Sequence, residues 1–245
     1  MRKLVVGNWK MNGLGGDLGE IGALAALAER YPDVDSGVCL PATLIARAAH
    51  AGGDYAIGGQ DCHGSASGAH TGCISAPMLV DAGAVLTIIG HSERRGDQHE
   101  SDADVRAKAL AANAAGLKAI VCVGESADQR EAGLAEMVVL AQLDGSLPDE
   151  SKGDWLSVAY EPIWAIGTGR IPTDEEVATM HAAIRRALTL RFGADGETIR
   201  ILYGGSMNGD NAAQLFAIPH VDGGLVGGAS LTAAKFEPIL AAASA

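Results

Sequence analysis

The sequence predicts an α/β protein built as a closed (β/α)8 barrel, with eight parallel strands ringed by helices in a single domain spanning residues 1–245. Three observations carry this expectation. Short apolar runs recur eight times, each followed by a polar or glycine-containing turn and then an alanine-rich helical stretch. Divided over eight units, 245 residues give about 31 each, the size of one strand-plus-helix unit. The runs are also continuously apolar rather than alternating, as strands of a parallel sheet covered on its far face should be.

Taken in order, Lys3–Gly7 leads into Asn8-Trp9-Lys10, and Gly37–Leu40 is followed, after Gly52-Gly53, by Tyr55–Gly58. Val85–Ile89 runs into Gly90-His91-Ser92-Glu93-Arg94-Arg95. A helix over Ala103–Ala115 places Val105, Ala109, Leu110 and Ala112 on its inner face, and Gly116 stops it. Ala119–Val123 is the fifth run and Leu156–Tyr160 the sixth, which delivers Glu161 at its end. Pro162 then prevents helical continuation, and a glycine-containing loop follows through Gly169. A helix over Thr173–Arg191 opens with an N-cap threonine and the acids Asp174, Glu175 and Glu176, which favour the helix dipole. Ile199–Tyr203 ends in Gly204-Gly205-Ser206, and Gly224–Val226 ends in Gly227-Gly228-Ala229-Ser230. The alternative, an open doubly wound sheet, lacks its glycine fingerprint after the first strand.

The formal charge of −12 argues against nucleic acid as a partner, since backbone binding needs clustered Lys and Arg. It would also repel an anionic substrate, which therefore needs a local electropositive site. No apolar run approaches the length that crosses a bilayer, and Met1-Arg2-Lys3 leads straight into a strand-like run, so no membrane partner is expected. Cys39, Cys62, Cys73 and Cys122 are scattered and read as reduced thiols of a cytoplasmic protein. Cys62, His63, His70 and Cys73 carry zinc-type side chains, but their spacing is unusual and filled with Gly and Ser, so no metal is expected. No cofactor is called for either.

Barrels of this kind carry their chemistry where the strands end. Lys10, His91 and Glu161 come to that face from three strands, opposite the two glycine-rich turns. Glycine allows close backbone approach, and N–H groups at a helix start point at an anion, so Gly227, Gly228, Ser206 and the Gly167 amide form a candidate phosphate site. A carboxylate base opposite a neutral imidazole suits proton abstraction next to a carbonyl, with Lys10 supplying charge where an enediolate oxygen develops. A Schiff-base lysine, as in an aldolase, is the main competing chemistry, and Lys10 its one obvious candidate. A non-catalytic protein on the same fold should have lost one of the three side chains.

These residues lie in blocks that resemble the triosephosphate isomerase family: Gly7-Asn8-Trp9-Lys10-Met11-Asn12, Gly90 to Arg95, Tyr160 to Gly169, Tyr203 to Ser206 and Leu225 to Leu231. They stand in family order across essentially the whole chain. The resemblance implies interconversion of dihydroxyacetone phosphate and D-glyceraldehyde 3-phosphate through an enediol(ate). It makes Glu161 the general base and His91 a neutral electrophile, the pairing for which the family is the standard example. It further implies that Asn8 and Lys10 bind substrate, that Gly167, Ser206, Gly227 and Gly228 hold the phosphate, and that Pro162, Ile163, Trp164, Ala165, Ile166, Gly167, Thr168 and Gly169 form a closing lid. Cys122 matches a family cysteine near the site, and Arg94 with Glu100 a charged pair bracing the fourth loop.

The segment Gly68 to Ser75 resembles the long loop that docks into a partner subunit, with His70 and Cys73 where the family has Phe and Glu. Gln98-His99-Glu100 and Asp61 depart from the family in the same region. Thr71 and the retained loop length imply a homodimer. Cys62 and Cys73 become candidates for thiol reactivity if they face that interface.

Overall fold

The computed structural model describes residues 1–166 and 170–245. Eight strands close into a parallel barrel in sequence order: β1 Leu4–Asn8, β2 Asp35–Cys39, β3 Ala56–Gly59, β4 Leu86–Ile89, β5 Lys118–Val123, β6 Leu156–Tyr160, β7 Arg200–Tyr203 and β8 Gly223–Val226. Each coincides with an apolar run to within two residues. β1 pairs with β2 at Leu4↔Asp35 and closes the ring against β8 at Leu4↔Gly223. β6 is buried at all five positions, which is why its sequence does not alternate.

The apolar core is split by the barrel wall. Inside lie Val6, Cys39, Ile88, Ile120, Cys122, Ala159, Leu202 and Leu225. A larger cluster fills the space between the outer face of the strands and the surrounding helices. The described helices return the chain from the carboxyl to the amino end of the barrel, and their starts carry the expected signals. Thr173 caps helix Asp174–Phe192 in a reciprocal box with Glu176, and Ser101 does the same with Asp104 for helix Asp102–Ala114. Each such cap contributes about 1 kcal/mol.

One inner-face assignment is corrected. Val105, Ala109 and Ala112 of helix Asp102–Ala114 are buried, but Leu110 is 52% exposed. The buried place belongs to Lys108, which hydropathy assigns to solvent. Its ammonium lies 2.8 Å from Asp61 and 2.5 Å from Glu100, while Arg94 reaches the same two carboxylates at 2.9 and 2.6 Å. Two cations against two carboxylates leave none of the four charges alone, which is what allows the lysine inside. Burial still pushes the Asp61 carboxyl up from its ordinary value, against the pull of Lys108 and Arg94.

Candidate active site

Glu161 directly follows β6 and is 1% exposed. Two glycines on the flanking strand ends make room for it. A Cβ at Gly124, beyond β5, would overlap the Glu161 carbonyl, and one at Gly204, beyond β7, would sit 3.0 Å from its Cγ. The carboxylate turns toward the end of β4. Its Oε2 accepts from the Ser92 N–H at 2.9 Å, and its Oε1 accepts from the Ser92 hydroxyl at 3.1 Å and lies 2.9 Å from His91 Nε2. Burial pushes this carboxyl up, but His91, by its hydrogen bond and by Coulombic attraction, and then the Ser92 hydrogen bonds outweigh it and hold it below the ordinary glutamate value. The acid is therefore ionised at neutral pH.

His91 is the N-cap of the short helix Ser92–Asp97, and its Nδ1 accepts the Glu93 N–H at 3.2 Å. With Nδ1 accepting from Glu93, Nε2 is the nitrogen turned toward the Glu161 carboxylate. Lys10 joins from β1. It stands in the left-handed region at φ 53, a conformation that costs a non-glycine residue on the order of 1 kcal/mol. Three bonds hold it there: its N–H donates to Asn8 Oδ1 at 3.0 Å, its carbonyl accepts from Gln60 at 2.9 Å, and its ammonium lies 2.5 Å from Glu93. The buried Asn8 thus orients Lys10 directly.

The glycine turns adjoin this group. A Cβ at Gly227 would stand 3.8 Å from Lys10 Cε, and Gly228 opens a single 3-10 turn, Gly228–Ser230. The turn is pinned by Ser230, which donates both N–H and hydroxyl to the Gly227 carbonyl, and by the Trp9 indole, which donates to the Ser230 carbonyl. Ser206 is exposed beyond β7, its carbonyl held by Asn211. Cys122 lies within the barrel beneath Glu161, where burial and the neighbouring carboxylate raise its thiol well above the ordinary value. It is a protonated packing group.

After Glu161 the chain turns through Pro162 into a 3-10 turn, Ile163–Ala165, followed by Ile166. Gly167, Thr168 and Gly169 lie outside the described residues. Trp164 is nearly buried, and its indole donates to Glu125 at 2.7 Å. Glu125 also accepts from Tyr160 at 3.0 Å and pairs with Arg130 at 3.0 Å. Arg130 stacks 4.4 Å over the Trp164 ring and reaches Glu176 at 2.6 Å. Sequence reading missed Ser92, Glu93, Glu125 and Arg130, of which Ser92 and Glu93 lay within a quoted block. Thr71 and Cys73 are exposed on the 64–74 loop and Cys62 is buried, while the His70 ring stacks on His63 at 4.0 Å between centroids.

Enzymes of this architecture do their chemistry at the carboxyl end of the strands, where these groups meet. Comparison with known proteins sets the chain among the aldose–ketose isomerases that use it. A family model described as triosephosphate isomerase matches residues 3–243. Over 244 residues the chain is 58% identical to the triosephosphate isomerase of Ruegeria sp. (strain TM1040), covering 100% of this chain and 99% of that one. The Afipia carboxidovorans protein of the same name is 58% identical over 242 residues, 98% and 96% of the two chains. The crystal structure of triosephosphate isomerase from Bartonella henselae superposes with a TM-score of 0.93 at 45% identity, covering 99% of each chain. The chain belongs to the triosephosphate isomerase family.

Proposed function

We propose that this single-domain barrel, residues 1–245, interconverts dihydroxyacetone phosphate and D-glyceraldehyde 3-phosphate through an enediol(ate). The observation that carries the reading is the buried, ionised Glu161 facing His91 Nε2 at 2.9 Å, with the Lys10 ammonium against Glu93, two residues on from His91. Glu161 leaves Ser92 and takes the proton from one substrate carbon, delivering it to the neighbouring one. His91 Nε2–H donates to the substrate oxygens in place of Glu161. Lys10, with Asn8, stabilises the charge that develops on those oxygens. The amides of Gly227, Gly228 and Gly167, with Ser206, bind the phosphate through dipoles, which meets the handicap of a −12 chain. The lid, Pro162 to Gly169, then excludes water from the intermediate.

The same reading places the enzyme in the cytoplasm, in glycolysis and gluconeogenesis, acting as a homodimer through the Thr71 loop. Exposed Met11, Leu14 and Met78 supply apolar surface that a second copy would cover. No described helix is long and apolar enough to cross a membrane. A coupled assay with dihydroxyacetone phosphate tests the activity. Glu161→Asp, which withdraws the carboxylate by one methylene, should lower kcat by about 10²-fold or more with the fold intact. Near-normal turnover in that variant, or borohydride trapping of substrate on Lys10, sinks the proposal.

A further inference from the structure

Arg95 lies on the short helix that His91 caps, and its side chain is 13% exposed. The guanidinium meets acceptors on four separate segments. Its Nε donates to the Gly90 carbonyl at 2.8 Å, at the exit of β4. Its Nη2 donates to the Cys122 carbonyl of β5 at 3.1 Å and to the hydroxyl of Ser146, fully buried at the end of helix Ala135–Ser146, at 2.9 Å. Its Nη1 donates to Asp102 at 2.6 Å, and Ser146 donates onward to the same Asp102 oxygen at 3.0 Å. A planar fork with donors in fixed directions suits acceptors spread this way. A lysine ammonium, with three donors on one atom, does not.

Two of those acceptors bear on the site. The β4–β5 ladder runs to Ile89↔Val121, so Gly90 and Cys122 stand where it would continue. Gly90 instead turns out of the strand at φ 65, where a Cβ would sit 2.8 Å from Val105 and 3.2 Å from Arg95 Nη2. Arg95 bridges the two strand ends in place of the ladder. On the β4 side it holds His91 at both ends. Its side chain binds the carbonyl before that residue, and its own N–H donates to the His91 carbonyl at 3.0 Å. On the β5 side it holds Cys122, and the next residue, Val123, accepts the Glu161 N–H at 2.8 Å. The backbones of His91 and Glu161 are thus joined through one guanidinium.

We infer that Arg95 is the positioning residue that sets the spacing of His91 and Glu161, an inference that rests on the isomerase reading above. The direct contact between the two side chains cannot keep that spacing through the reaction, because substrate takes its place. The Arg95 bridge runs through backbone carbonyls and is untouched by that exchange. Asp102 and Ser146 aim the fork and balance its charge. The glycine turns that bind phosphate in this reading follow β7 and β8, so phosphate affinity is independent of Arg95.

Matched variants of the full chain test this. Arg95→Lys keeps the charge beside Asp102 and loses the fork. It should lower kcat about tenfold or more in the coupled assay, while KM and competitive inhibition by inorganic phosphate stay within about twofold. Asp102→Asn removes the ion-pair charge and leaves both carbonyl bonds, so it should lower the thermal midpoint with kcat at the parent value. Ser146→Ala, too mild a change to unfold the chain, removes one acceptor that aims the fork and should lower kcat about threefold at unchanged KM. With isotopically labelled histidine, a readout that needs no turnover, the His91 ring resonances should move in Arg95→Lys and stay in Asp102→Asn. Parental kcat in Arg95→Lys or Ser146→Ala, an equal kcat loss in Asp102→Asn, a rise in KM in place of the fall in kcat, or unmoved His91 resonances would each overturn the inference. An inactive parent chain would instead sink the isomerase reading, and the resonances would still decide this one.

Discussion

Glu125 and Glu161 are two buried carboxylates beyond adjacent strand ends, and the structure treats them oppositely. Glu125 is met by a permanent cation, Arg130, together with the Tyr160 and Trp164 donors. Glu161 pairs with no lysine or arginine among the described residues; His91 and Ser92 hold it ionised. A charge matched by a guanidinium is fixed in place, because separating the pair strands both members. A charge held without a guanidinium can exchange its partners for a substrate at modest cost. The difference leaves Glu161 free to exchange its partners under the proposed function, while Glu125 anchors the Trp164 indole.

Four measurements break or sharpen that contrast. The largest effect should come from matched glutamine variants. Glu161→Gln should lower kcat by about 10²- to 10⁴-fold with near-parental stability, whereas Glu125→Gln should act mainly on stability. Equal kinetic losses in the two would erase the distinction. Next, Arg130→Met leaves Glu125 unpaired. Because Arg130 is about a quarter exposed, the cost should lie near the lower end for a broken buried pair, about 3 kcal/mol in urea melts. A loss within experimental error would show that the pair fixes nothing.

A third effect concerns a buried base without a charge partner. His181 is fully buried, with Nδ1 2.9 Å from the His220 carbonyl and Nε2 unpartnered among the described residues, and burial lowers its pKa to about 4. The unfolded chain, at the ordinary 6.5, takes up the proton first. Stability should be fully present above pH 6.5 and fall by about 3 kcal/mol as pH drops to about 4. His181→Gln should flatten that slope, and an unchanged slope would refute the assignment. The smallest effect is Ser92→Ala, which removes one of the three bonds to Glu161 and should cost about 1 kcal/mol. The Glu161 carboxyl should then rise toward its ordinary value, carrying the acid limb of kcat/KM to higher pH. An unmoved limb would mean that the serine hydroxyl contributes nothing to holding the acid ionised.

The eight strands were legible because a parallel strand is buried on both faces, so β6 and its neighbours read as unbroken apolar runs. Lys10, His91 and Glu161 were legible because strand order alone delivers them to one face. Helix Asp102–Ala114 shows where that reasoning stops. The helical period from Val105 through Ala109 and Ala112 puts position 108 on the inner side, whereas hydropathy alone prefers Leu110 there. Only Asp61 and Glu100, from other segments, let a lysine occupy the buried place.

What the sequence determined by itself was the barrel, its strand order and the residues at the strand ends, since these follow from local periodicity and turn chemistry. Only the tertiary structure decided the contact of His91 Nε2 with Glu161, the hold of Ser92 on Glu161 and the anchoring of Trp164 by Glu125. It also decided the grip of Arg95 on the Gly90 and Cys122 carbonyls. Each depends on which atoms meet within about 3 Å across separate strands, and on how closely they exclude water, and hydrogen bonding and desolvation act only over that range.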